Sequence, residues 1–122
     1  MYKFDYTTNE SYYDKAVKVV ITLNHYPECV LKSYYDGPFG LPPSTYVGIA
    51  THKEGDSFNK DLAFKVAERK AVRAMYSAFM NYEKRAQEYY EKCAAEHENL
   101  RATLSNKKLH ITSSIKYLTK NG

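Results

Sequence analysis

Arg69 and Arg73 stand four positions apart in an alanine-rich stretch. On a helix that spacing stacks two side chains on one face, one turn apart. Two guanidinium forks so placed can clamp a diphosphate or a pair of phosphates, because each fork makes bidentate bonds to phosphate oxygens. Tyr76, Phe79 and Tyr82 follow closely, and Arg85 with Tyr89 repeats the combination further along. Aromatic faces stack on purine rings, so arginine interleaved with aromatic residues is a plausible nucleotide cradle. Arg69, Arg73, Phe79, Tyr82, Arg85 and Tyr89 are therefore the candidate ligand-binding residues. The same residue types also allow a plainer arrangement, with Phe79 in the core and both arginines solvated.

Other chemistries find little support in the sequence. No serine sits in a nucleophile elbow, and no glycine-rich phosphate loop ends in Lys-Ser or Lys-Thr. The segment THKEGD brings His52, Glu54 and Asp56 together, a possible acid/base or metal cluster that also reads as a solvated polar turn. His25, His52, His97 and His110 have no His or Cys at metal-binding spacing, and Cys29 and Cys93 form neither a metal motif nor a disulfide framework. The expectation is a protein that is not an enzyme, with no catalytic residue, no metal and no cofactor. No apolar run approaches the roughly 18 residues of a membrane span, and no signal-peptide pattern is present. A soluble, reduced, intracellular protein is expected.

Charge is distributed unevenly along the 122 residues, which sum to +4. Residues 1–56 carry −2, residues 57–80 carry +3, residues 81–104 carry −1 and residues 105–122 carry +4. Two basic segments favour an anionic partner, although a solvated surface also accommodates them. Thirteen tyrosines and no tryptophan are also unusual. Tyrosine joins a large contact area to a polar tip, which suits interfaces and pockets.

The elements that must position these groups fall in two halves. Tyr2, Phe4 and Tyr6 alternate, which allows a short strand, and residues 15–24 alternate Val17, Val19, Ile21 and Leu23 with more polar neighbours. A turn at HYPE and a second hairpin strand over residues 28–35 are expected next. DGPFGLPPS is a loop, and TYVGIAT is a further strand in which Gly48 permits close approach of another backbone. A helix then begins near Asp56 or Ser57, either of which can cap it. Apolar and alanine residues recur at steps of three and four from Leu62 to Cys93, and no Pro or Gly falls between Asn59 and Leu104. A continuous helix over residues 57–104 would be about 72 Å long, so it either breaks, with Asn81 a candidate, or reaches a partner chain. Residues 105–122 fit a short helix or a strand. The expectation is one α+β domain over residues 1–122, mainly β over 1–55 and mainly α over 56–122, with an N-terminal antiparallel sheet, long C-terminal helices and oligomeric assembly.

Two resemblances bear on function. A strand, a turn and a basic helix look like the last third of a double-stranded-RNA-binding domain. That family sets adjacent lysines at the helix start, whereas Lys60 and Lys65 are separated by Asp-Leu-Ala-Phe, and the family's N-terminal helix is missing. Duplex nucleic acid is accordingly disfavoured as a partner. The segment YVGIATHKEGDSFNKDLAFKVAERKAVRAM resembles short phage and prophage proteins of the first-described Thoeris anti-defence sponge family. The matching positions are Gly48, Ile49, Ala50, Asp56, Phe58, Ala67, Arg69 and Ala71. Most of these look structural, Asp56 as a cap and Phe58 as a packing residue. Related chains often carry Cys-x-Pro where this one has HKEG. The resemblance implies a viral protein in the cytoplasm of a bacterial host that binds cyclic ADP-ribose-type immune signals, and in some members cyclic oligonucleotides, without cleaving them. It also implies a homodimer or higher homo-oligomer, with ligand held between protomers. The alternative is a small phage inhibitor that binds a host protein or duplex nucleic acid.

Overall fold

The computed structural model describes residues 3–52 and 59–121. Its elements are β1 (Asp5–Tyr13), β2 (Ala16–His25), α1 (Glu28–Asp36), β3 (Thr45–Thr51) and α2 (Lys60–Asn121). The three strands form one antiparallel sheet in the order β1-β2-β3. This is the α+β architecture expected, an N-terminal antiparallel sheet followed by helix, with the C-terminal part a single 62-residue α2.

β2 is the central strand, and its alternation sets the sheet's two faces. Val17, Val19, Ile21 and Leu23 point into the core, while Lys18, Val20 and Thr22 take the other face. From β3 the core receives Tyr46, Gly48 and Ala50, and Val47 and Ile49 stay exposed. Val19 pairs with Gly48 and with Glu10 of β1, which fixes the register across all three strands. Asp14 and Lys15 connect β1 to β2, and Lys15 takes a left-handed conformation with φ 67°. That conformation is costly for a residue with a Cβ, and the tight reversal demands it.

α2 covers the core face. Asn59 opens it: the Leu62 N–H donates to Asn59 Oδ1 at 3.1 Å, and the Ala63 N–H donates to the Asn59 carbonyl at 2.9 Å. Asn59 thus satisfies donors that the first turn leaves orphaned. Asp56 and Ser57, the caps expected from the sequence, lie outside the described residues, as does Phe58. Ala67, Ala71, Met75, Phe79, Tyr82 and Ala86 form the buried stripe of the helix. Small residues at the first two positions bring helix backbone against β3: a Cβ added to Gly48 would meet the Ala67 carbonyl oxygen at 1.9 Å.

Two elements differ from expectation: β1 runs over Asp5–Tyr13, where the alternation of Tyr2, Phe4 and Tyr6 allowed only a short strand, and α1 replaces a strand. Residues 28–36 are helical, not the second strand of a hairpin. The Pro27 carbonyl accepts from the N–H groups of Val30 at 3.0 Å and Leu31 at 3.2 Å, and Glu28 places an acid in the positive first turn. Val30 is the one fully buried residue of α1, and a nine-residue helix is long enough to seat it. The Tyr82 hydroxyl lies 3.1 Å from the Val30 carbonyl and 2.6 Å from Ser33 Oγ, tying α1 to α2.

The chain divides into two compact units, Met1–Ala86 and Gln87–Gly122. The boundary follows Ala86, the last buried residue of α2. α2 runs through Asn81 without a break, and the segment open to helix or strand is helical. Within it the hydroxyls of Thr103, Thr112 and Thr119 donate to the carbonyls of Asn99, Lys108 and Ile115 four residues back. Such bonds let threonine sit in a helix interior with its hydroxyl satisfied.

Candidate functional site

On the first unit, α2 turns a second face to solvent. Residues 69, 73, 76 and 80 advance at steps of four, three and four and form a stripe distinct from the buried one. Arg69, Arg73, Tyr76 and Met80, with Glu68, Val72 and Ser77, line an open groove. Arg69 and Arg73 also line a smaller adjoining recess with Val66 and Lys70. Two of the six candidate ligand residues are thus brought together, one turn apart and both exposed.

Tyr76 supplies the groove's aromatic face. Tyr76 is 57% exposed, and its ring meets that of Phe4 edge-to-face, with ring centroids 5.4 Å apart at 84°. Phe4 in turn packs edge-on against Phe79 at 4.8 Å, so the groove rests on the core through a single aromatic step. Val72 and Met80 add apolar surface, Ser77 adds a hydroxyl, and Glu68 adds an acceptor suited to a ribose hydroxyl or an amine. Lys70 is directed elsewhere: its Nζ donates to the Ile49 carbonyl at 3.0 Å, covering a polar group on the free edge of β3.

Phe79 and Tyr82 do not join the groove. Phe79 is 1% exposed and Tyr82 fully buried, so neither offers a face on which a base or ribose could stack. Both follow the Ala67–Ala71–Met75 stripe at steps of four and three, which carries them under the sheet. Tyr82 spends its hydroxyl on α1, and its ring meets Phe39 edge-on. Arg85 is exposed on α2 but does not line the groove. Tyr89 belongs to the second unit, where it packs against Tyr90, and hydrogen bonding to Cys93 is the main cause raising its phenol pKa.

Val72, Ser77 and Met80 were not singled out by sequence. The available signal was helical phase, which places 69, 73, 76 and 80 together once 67, 71, 75 and 79 are assigned to the core.

The His52 cluster is only partly visible. The His52 N–H donates to the Lys15 carbonyl at 2.7 Å at the end of the sheet, and Glu54 and Asp56 lie outside the described residues. Among the described residues no group of three His, Cys, Asp or Glu side chains could hold a metal ion, and no helix is long and apolar enough to cross a membrane. No protein-family model, curated protein or solved structure matches this chain.

Proposed function

We propose that this chain binds and sequesters a phosphate-bearing, nucleotide-derived signal without cleaving it, using the groove of Arg69, Arg73 and Tyr76. The observation that carries the proposal is the presence of two exposed guanidinium groups and a propped aromatic ring on one open face of α2. Arginine forks hold phosphate oxygens by paired charge-assisted bonds, and the Tyr76 face takes the base. The resemblance of residues 46–75 to Thoeris anti-defence sponges points to a cyclic ADP-ribose isomer, with cyclic oligonucleotides as further ligands. In this account the chain is a viral anti-defence protein acting in a bacterial cytoplasm. By the same resemblance, the chain assembles as a homodimer or larger homo-oligomer.

The test is uptake and release. Purified protein is incubated with cyclic ADP-ribose isomers, separated from free ligand and heated, and the supernatant is analysed by chromatography. Intact ligand in the supernatant supports sequestration. A cleaved product would make the protein an enzyme, and no uptake at micromolar concentration would remove the proposal. A gel shift with duplex RNA that weakens steeply with salt would instead favour the nucleic-acid inhibitor.

A further inference from the structure

The second unit is a helix without a core. From residue 87 to residue 120 no described side chain is buried, and only Tyr89 and Cys93 are less than exposed. The run Ile111-Thr112-Ser113-Ser114-Ile115 is rich in residues of weak helix propensity, so intrinsic preference does not account for helix here. Helices in water draw most of their stability from packing an apolar face. This one has such a face. Leu100, Leu104, Ile111, Ile115 and Leu118 succeed one another at steps of three, four and seven, each more than half exposed. That spacing is the seam of a coiled coil.

Charge selects the occupant and its direction. Residues 87–98 hold four glutamates against one lysine, whereas residues 101–120 hold one arginine and four lysines with no acid. A parallel copy would set like charge beside like along the whole seam. An antiparallel copy sets the acidic end of each helix beside the basic end of the other, and the helix dipoles oppose as well. We infer that two copies of this chain pair through residues 87–121 as antiparallel helices, with Leu104 near the two-fold axis. The interface is isologous, as closed dimers require. About that axis Leu104 meets Leu104, and Ile111, Ile115 and Leu118 of each copy lie beside His97, Cys93 and Tyr90 of the other, so these mixed apolar contacts supply affinity and the segregated charge supplies direction. The inference does not rest on the ligand assignment.

The test uses the full chain in a Cys29→Ser/Cys93→Ser background. Sedimentation gives a dimer. Spin labels at Lys92→Cys lie about 36 Å apart across the dimer, from roughly twelve residues on each side of Leu104 at 1.5 Å per residue. Labels at Asn106→Cys, close to the axis, lie within about 20 Å by the same rise. Short distances at both positions would mean a parallel pair and overturn the inference, as would a monomer at tens of micromolar. Leu104→Glu/Ile111→Glu is expected to give a monomer whose sheet unit keeps its urea transition, and a dimer of unchanged affinity would overturn the assignment of the seam. Nucleotide uptake by the same variant is read separately, so loss of the dimer and failure of the ligand proposal remain distinguishable.

Discussion

Replacing Gly48 by alanine should unseat α2 from the sheet. An added Cβ would lie 1.9 Å from the Ala67 carbonyl oxygen, 2.7 Å from the Ala71 nitrogen and 2.9 Å from the Ala67 carbonyl carbon. All three are backbone atoms, so no side chain can rotate out of the way. Reaching ordinary contact at 3.4 Å requires the helix to retreat by about 1.5 Å (3.4 less 1.9). That retreat opens the packing of Ala67 and Ala71 against β3, both fully buried at present. Overpacking of this kind costs about 3 kcal/mol at the upper end of its usual range. The reduced entropy of the unfolded chain returns about 0.5–1 kcal/mol. The net loss is about 2 kcal/mol, a fall of on the order of 1–2 M in urea midpoint for a small domain. Gly40→Ala is the control, because nothing lies within 4 Å of its added Cβ. It should leave stability within about 0.5 kcal/mol. A Gly48→Ala midpoint equal to wild type would refute the seating of α2 on β3 backbone.

Further outcomes follow from single groups. Tyr46 is 6% exposed and its hydroxyl has no hydrogen-bond partner, so Tyr46→Phe should raise stability by about 1–2 kcal/mol in urea unfolding. Burial also pushes the Tyr46 phenol from 10.0 up to about 12. Its folded pKa lies above its unfolded value, so its ionisation leaves stability unaffected below pH 10 and removes stability as pH rises from 10 to about 12; Tyr46→Phe should flatten that part of the stability profile. Asn59→Ala removes the cap on Leu62 and should cost about 1 kcal/mol, with Asn59→Asp restoring most of it. Lys15→Gly relieves a left-handed residue and should stabilise the β1–β2 connection by about 0.5–1 kcal/mol in the same assay.

The sequence carried the sheet more clearly than the helices. β2 could be read because strict alternation of branched residues has no helical equivalent, and Gly48 because a glycine inside a strand signals close approach. α1 was missed because Val30, Tyr34 and Tyr35 carry β propensity, whereas in the structure the segment is helical, with Val30 in the core and the Tyr82 hydroxyl at Val30 and Ser33. The candidate site divided along helical phase. Arg69 and Arg73 share the exposed stripe, while Phe79 and Tyr82, chosen for their ring chemistry, fall on the stripe that alanine had already marked as buried. The conformation of residues 105–121 was illegible because its β-branched content and apolar spacing point in opposite directions.

We propose that Arg69 and Arg73 hold a phosphate-bearing ligand on α2. The most direct measurement is calorimetric titration of the full chain and of Arg69→Ala/Arg73→Ala with a cyclic ADP-ribose isomer. Both arginines are exposed and neither supports the core, so the variant keeps its fold. Loss of the charge-assisted bonds, about 1.5–3 kcal/mol each, predicts at least a roughly hundredfold weaker Kd for the variant. Equal affinity in the two proteins would show that Arg69 and Arg73 do not hold the ligand.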